Sequence, residues 1–389
     1  MNQRLKTTAI LLIGLLCCYS CQEKNKKGIA TDSEEILTVN LDAPDDEVSF
    51  YDIFDRVSVI QLETTEESLI RTIWKIVFHN DSIFVFDRPQ QTIFLFDANG
   101  KYLSKLCKVG NGPGEYSSIS DFAINKFTNN IELLSPMQGV FCYDLNFNFI
   151  EKIVTPEGRV IHSFAIIDAC TRVFHNHVRE NNLEVFDCCS NEKTGEYYNI
   201  PKDIYFKSGI VSPFSCFENR QEGEATFTQS FTHTVYSITR DSFKPRYTWD
   251  FGKYNFDLKK DLDLTQSAEE WKNFIESKSF KENHIFSLGT NTETSSFYLA
   301  NFMFWKEQRN ITVIHNKATG KQIKFSLFKE GVCFPNYAHA TEDFIYPCPM
   351  SMRVIDSYLN DQIRKENNIS LEWDEDQNPI IMKYYLKKN

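Results

Sequence analysis

Two stretches of the chain are one unit written twice. Ile83–Leu106 (IFVFDRPQQTIFLFDANGKYLSKL) aligns without a gap on Asn130–Ile153 (NIELLSPMQGVFCYDLNFNFIEKI), 47 residues later. Pro89 meets Pro136, Gln91 meets Gln138, Phe94 meets Phe141, Asp97 meets Asp144, Asn99 meets Asn146 and Lys105 meets Lys152. A period in the forties, filled with short alternating apolar strands and turn residues, predicts the blades of an all-β propeller. That architecture offers a binding face but fixes no chemistry of its own.

The pattern continues outside the two copies. Ile36–Leu41 and Val57–Leu62 predict two strands before the repeats begin. The first repeat predicts strands at Ile73–Phe78, Ile83–Asp87, Thr92–Asp97 and Tyr102–Val109, with Asn99-Gly100 as a tight hairpin turn in which both residues take positive φ. The third repeat keeps the phrase LEVFD at Leu183–Asp187, equivalent to Ile93–Asp97, followed by an expanded turn, CCSNEKTGE. The fourth carries His233–Thr239 and Tyr247–Gly252, and the fifth carries Ile311–Ile314 with Gly320 at its turn. Two helices interrupt the strands. Ser267-Ala-Glu-Glu270 has the form of a capping box ahead of Trp271, Phe274 and Ile275, and Met352–Lys365 places Ile355, Tyr358, Leu359 and Ile363 on one side.

The amino terminus reads as an address. Arg4 and Lys6 precede the apolar run Ala9–Leu16, too short to span a bilayer, and Ser20 stands immediately before Cys21. This resembles a bacterial lipoprotein signal, with residues 1–20 removed and a lipid carried on Cys21; an ordinary cleaved secretory signal is the alternative. Cys18 and Tyr19 depart from the usual Leu and small residue, and Cys18 is a second acceptor with Cys17 in the unfavourable preceding position. Loss of Arg4 and Lys6 with the signal takes the net charge from −11 to −13. Acyl chains anchor a protein because each buried methylene contributes about 0.8 kcal/mol. Residues 21–35 are polar without apolar period and read as a tether, leaving 36–389 as a single domain.

Acidity argues against a nucleic-acid partner, which requires clustered Lys and Arg. Of the eight cysteines beyond Cys21 none forms a C-x-x-C pair, so a zinc ribbon or thioredoxin-like motif is absent. Free, mostly buried thiols are expected, Cys142 among them as a small core residue, although an exported protein oxidises some. No motif calls for a cofactor or a metal.

One ordered set of phrases carries a family resemblance. A signal ending in Ser-Cys is followed by LETTEESLI (Leu62–Ile70), GNGPGEY (Gly110–Tyr116), DFAIN (Asp121–Asn125), TVYSI, DFG (Asp250–Gly252) and NPIIMKYYLKK (Asn378–Lys388). Together these resemble the six-bladed β-propeller lipoproteins of Bacteroidetes, whose repeats are in the style of NHL propellers. The resemblance implies six four-stranded blades around a channel and a cell-envelope location, in or at the outer membrane. It transfers no catalytic residue. An open ring has an edge problem, so the last strand, Pro379–Leu386, is expected to share a blade with an early one, Val57–Leu62 or Ile36–Leu41.

Propeller geometry puts the loops between successive blades, and those between a blade's second and third strands, on one face. The candidate ligand-face residues are therefore Arg88, Gln91, Glu115, Tyr116, Gln138, Arg159 and His162. GNGPGEY lacks the Lys-Ser/Thr of a P-loop and opens no helix, so it reads as a crossover loop whose glycines allow tight packing, with Glu115 and Tyr116 as candidates to reach a ligand. His175-Asn-His177 sets two imidazoles on one side of a strand with no third metal ligand nearby, and reads as a surface or channel-side pair. Glu34-Glu35 and Asp45-Asp46-Glu47 read as solvated linker. The expected function is a binding module that presents its loop face to a glycan, a peptide or a protein, with aromatic and amide side chains suited to sugars. The alternative is a hydrolase or lyase acting on a polysaccharide or lactone at the channel mouth.

Overall fold

The computed structural model describes residues 34–155, 161–176, 181–199, 217–219, 223–228, 232–256, 261, 267–286, 291–348, 355–370 and 376–387. The chain is a six-bladed β-propeller. Blade 1 comprises β3 (Lys75–His79), β4 (Ser82–Asp87), β5 (Thr92–Asp97) and β6 (Tyr102–Leu106); blade 2 comprises β7 (Asp121–Asn125), β8 (Asn130–Ser135), β9 (Gly139–Tyr143) and β10 (Phe149–Ile153). Blade 3 comprises β11 (Ile161–Ile166), β12 (Thr171–Asn176), β13 (Asn181–Asp187) and β14 (Glu192–Asn199). In blade 4, β15 (Phe217–Asn219), β16 (Ala225–Phe227), β17 (Thr234–Ile238) and β18 (Phe243–Asp250) are joined by β1 (Glu35–Thr38). Blade 5 holds β20 (Asn291–Glu293), β21 (Phe297–Phe304), β22 (Arg309–Asn316) and β23 (Gln322–Phe325), with β19 (Ile285–Phe286) on the far end of β21. Blade 6 holds β24 (Ala338–Ala340), β25 (Phe344–Pro347), β26 (Ile380–Leu386) and β2 (Phe54–Gln61).

The duplicated unit therefore covers the second, third and fourth strands of blades 1 and 2. β4, β5, β8 and β9 are almost wholly buried along their length, because each blade is covered on both faces by its neighbours. This is why they read as apolar runs more than as strict alternation. Each apolar cluster lies between two adjoining blades: Phe86, Leu95, Phe122 and Leu133 between blades 1 and 2, and Ile76, Phe94, Tyr346 and Ile381 between blades 1 and 6. The outermost strand β10, by contrast, is mostly exposed.

The recurring Asp at the end of the third strand is a turn device. Asp97 Oδ1 accepts the N–H of Asn99 and of Lys101, both at 2.9 Å, and Asp144 Oδ1 accepts those of Asn146 and Asn148 at 2.9 and 2.8 Å. Asp187 and Asn316 repeat it. Only Gly100 of the Asn99-Gly100 pair takes positive φ, at 86°. The turn is closed by Asp97, and a bulge between Leu95 and Phe96 absorbs the extra residue. The expanded turn expected after Leu183–Asp187 is only four residues long; β14 begins at Glu192, and Gly195 lies inside the strand.

The ring closes through Val57–Leu62 rather than Ile36–Leu41. β2 pairs antiparallel with β26, in register from Val57↔Tyr384 to Gln61↔Ile380. Two of the phrases that carried the resemblance hold each other there. Asn378 is fully buried; its Oδ1 accepts the Ile70 N–H at 2.8 Å, and its Nδ2 donates to Glu63 and Ser68 carbonyls at 2.8 Å each. The other early strand, β1, adds to the outer edge of blade 4 as a parallel fifth strand.

Beyond β1 the chain straps blade 5. Asp45 meets Arg309 at 2.5 Å, and Asp46 exchanges backbone and side-chain hydrogen bonds with Lys324. The acidic run expected as solvated linker is thus in part a clamp, with Glu47 left exposed. The short helix α1 (Phe50–Ile53), capped by Ser49, then leads into β2. The predicted capping box is present on α2 (Ala268–Glu276): Ser267 Oγ accepts the Glu270 N–H at 3.3 Å. Phe274 packs on Phe280 of α3 (Lys278–Asn283), ring centroids 5.0 Å apart. The second expected helix is divided into α4 (Ile355–Tyr358) and α5 (Asp361–Glu366), because Asn360 caps α5 through the Ile363 N–H; residues 352–354 lie outside the described residues.

The thiol expectation needs one correction. Cys170, between β11 and β12, is disulfide-bonded to Cys189, between β13 and β14. Two turns of one blade face each other there, a proximity that a separation of 19 residues does not reveal. Cys142 and Cys348 are free and buried as expected, and Cys107 is free and exposed. The His175-Asn-His177 pair is also revised: His175 is buried edge-on against Phe217 and Phe227, and His177 lies outside the described residues.

His233 has a measurable consequence. It is buried, edge-on to Phe251, and burial lowers its pKa to about 4. The neutral ring is therefore the folded form, while the unfolded chain takes up a proton near pH 6.5. Stability contributed by this site is complete above pH 6.5 and declines by up to roughly 3 kcal/mol as pH falls from 6.5 to 4. Denaturant melts of wild type and His233→Leu across that range should show wild type losing stability relative to the variant as pH falls; a difference that does not change with pH would refute the assignment.

Candidate functional site

The first strand of each blade lines the central channel, as β3, β7, β11, β15, β20 and β24. Two faces follow from strand direction. One carries the inter-blade crossovers and the second-to-third-strand loops; the other carries the first-to-second and third-to-fourth-strand turns.

The sequence-derived candidates among the described residues lie on the crossover face, where most of them fasten blade to blade. Tyr116 is fully buried; its hydroxyl donates to the Gln91 carbonyl at 3.0 Å and accepts the Lys108 N–H at 3.1 Å. Burial raises its pKa. Gln91 Oε1 accepts the Ile119 N–H, and its Nε2 donates to the Arg88 carbonyl at 2.6 Å. Gln138 Oε1 accepts the Ser117 N–H at 2.7 Å and the Ser117 and Ser135 hydroxyls at 2.9 Å each. The two aligned glutamines thus clamp one crossover, residues 117–119, from blades 1 and 2.

The GNGPGEY loop is wound around Glu115, whose carboxylate accepts the Gly112 N–H at 2.7 Å and occupies the space a Cβ on Gly110 would need. Gly114 takes φ of 73°, and a Cβ there would meet the Phe149 ring at 2.5 Å. Arg88 stacks on Trp74 with its guanidinium 4.4 Å from the ring centroid. His162 is half-buried, and burial together with the nearby Arg88 charge lowers its pKa. Arg159 and Cys21 lie outside the described residues.

The channel itself holds a cavity of about 600 Å³. Its rim residues His79, Lys126, Glu224 and Thr341–Asp343 belong to first-to-second-strand turns, so its mouth lies on the face opposite the sequence-derived candidates. Deeper walls come from Lys75, Phe78, Phe217, Glu218, Glu293, His339 and Tyr346.

Charge pairing here is extensive. Lys75 Nζ donates to Asp121 Oδ1 and to the Phe122 carbonyl, both at 2.7 Å. Glu293, almost fully buried, receives Arg246 bidentately at 2.7 and 2.8 Å and is also met by Lys317. Arg246 reaches back to Glu224 at 2.9 Å, tying blade 4 to blade 5. Glu218 Oε2 accepts the Thr292 hydroxyl at 3.1 Å, and Glu218 Oε1 stands 3.8 Å from His339 Nδ1. Among the described residues, three metal-capable side chains converge only at Cys170, Asp187 and Cys189, where the disulfide takes up the sulfurs.

The sequence pointed to none of Glu218, Glu224, Glu293 and His339. For Glu218, Glu293 and His339 the one local sign is a charged or titratable residue inside a very short first strand, the strand that faces the channel; Glu224 lies in the turn between two strands and carries no such sign.

Comparison with known proteins agrees with this architecture. A putatively named exported protein of Bacteroides fragilis has a structure matching this chain with a TM-score of 0.67 at 17% identity, over 92% of this chain and all of that one. A member of the DUF4221 family from Bacteroides vulgatus matches with a TM-score of 0.52 at 12% identity, over 88% of this chain and 99% of that one. At such identities the likeness is one of fold. No curated protein matches the chain. The family model described as "Domain of unknown function (DUF4934)" matches residues 36–385, nearly the whole propeller, and the chain belongs to that family.

Proposed function

We propose that this chain is an exported, lipid-anchored binding propeller of the cell envelope, whose ligand enters the central channel from the turn-bearing face. The observation that carries the reading is the cavity of about 600 Å³, lined by side chains of several blades. Its size falls within the usual range for small-ligand sites, about 300–1,000 Å³. It suits a short glycan or a peptide end better than a folded protein. Aromatic walls from Phe78, Phe217 and Tyr346 and polar groups from Glu218 and His339 suit that class of ligand.

Export is supported by the signal-like residues 1–20 and by the Cys170–Cys189 disulfide, which belongs to an oxidising compartment. It is also in keeping with the description of the Bacteroides fragilis neighbour. Cys21 is the proposed anchor, and the outer membrane the proposed site. Radiolabelled palmitate should enter the wild type and not a Cys21→Ala variant.

The channel is tested with glycan and peptide arrays probed by wild type and by Ala340→Trp, which fills the cavity from β24. Hits should vanish in the variant; hits that persist place the ligand elsewhere. An enzymatic reading, hydrolase or lyase, has one observation in its favour, the Glu218 carboxylate beside the His339 imidazole. Product analysis on any array hit separates the two, since turnover refutes a pure binder.

A further inference from the structure

We propose that the channel recognises its ligand through a positively charged primary amine, received by Glu218. The inference rests on the channel-binding reading above. Glu218 is fixed on one side only: Oε2 has the Thr292 hydroxyl, whereas Oε1 is closed off from solvent and accepts no hydrogen bond. The nearest cationic candidate, His339 Nδ1 at 3.8 Å, is beyond hydrogen-bond reach. An ionised carboxylate oxygen held in a wall without a donor is unfavourable, while the Glu218 side chain as a whole keeps 21% of its surface open, so a turn of the carboxylate brings Oε1 to a donor that arrives in the channel.

The neighbouring charges sharpen the choice of donor. Lys75 is neutralised by Asp121, and the Glu293 carboxylate by Arg246 and Lys317. These pairs are complete within the protein. Among the described residues, Glu218 has no ion-pair partner closer than His339. A hydroxyl would satisfy its hydrogen bond and leave its charge uncompensated; an anion would be repelled. An ammonium group supplies both donor and charge. The ring of Tyr346, in the same cavity, also attracts a cation. The shared chemistry is a free amine, on an amino sugar or on a lysyl side chain.

The test is calorimetric titration of the full chain with two matched pairs. One pair is the glucosamine disaccharide and its N-acetylated form; the other is Nα-acetyl-lysine amide and its Nε-acetylated form. At least one amine should bind while its acetylated twin does not. The arm that binds identifies the source. Glu218→Gln, which keeps shape and removes charge, should weaken that binding about 10- to 100-fold, the range of a charge-assisted hydrogen bond. Ala340→Lys, which adds an ammonium to the channel wall, should weaken it comparably and serves if Glu218→Gln fails to fold.

Equal binding of an amine and its acetylated twin, indifference of amine binding to both variants, or no binding by either amine would overturn the proposal. A neutral or anionic probe that binds and is expelled by Ala340→Trp would leave the channel reading standing and remove only the amine. A probe that binds regardless of Ala340→Trp would remove the channel reading itself.

Discussion

A chain that stops at Asn378 will not form a propeller. β26 is an interior strand of blade 6, between β25 and β2, so its loss separates the amino-terminal strand from the ring. Five of its side chains, Ile380, Ile381, Met382, Tyr384 and Leu386, are buried. At roughly 1.5–3 kcal/mol for each large apolar side chain, their loss matches the whole net stability of a typical domain, about 5–15 kcal/mol. Truncation also exposes two unpaired strand edges, which favours aggregation. Circular dichroism and a thermal melt of the truncated chain should show no cooperative transition. A soluble product melting within a few degrees of wild type would mean that the ring does not depend on this closure.

Glu132→Gln should cause the largest loss from a single substitution. Glu132 of blade 2 and Arg172 of blade 3 are each about 2% exposed and meet bidentately at 2.6 and 2.7 Å. Asn125 donates to the same carboxylate at 2.8 Å, and the remaining guanidinium N–H groups reach carbonyls of Asp168, Ala169 and Thr171. Removing the negative charge leaves a buried guanidinium without its counter-ion. Breaking such a pair costs about 3–5 kcal/mol. Replacing both partners by apolar residues of similar volume, Glu132→Leu with Arg172→Met, should recover most of that loss, since a buried pair contributes little beyond the desolvation it offsets. Urea melts of the single and double variants test this directly. A single variant within about 1 kcal/mol of wild type would show that the pair is not an essential fastener between the blades.

Much of the fold was legible because it is locally encoded. The repeat at Ile83–Leu106 and Asn130–Ile153 marks strands whose boundaries differ from the observed ones by only a few residues. Asp97 and Asp144 mark turns that are closed by neighbours two and four residues away. Ser267 caps a helix from its own sequence vicinity. Where local signals misled, a distant partner was the reason. Asp45 and Asp46 look like solvated linker until Arg309 and Lys324 are placed beside them. On the loop face, Tyr116 and the glutamines at 91 and 138 have hydrogen-bond partners that their place in the sequence does not show.

The channel was the least legible part. Glu218, Glu293 and His339 come from three different blades, and their first strands are only three residues long, too short to show a period. By itself the sequence determined the blade, its turns, the closing strand and the signal-like amino terminus, because each depends on contacts within one repeat or on a phrase long enough to recognise. The tertiary structure alone decided which polar side chains are consumed between blades and which line the channel, because closing a ring brings together residues whose spacing in the chain carries no record of their meeting.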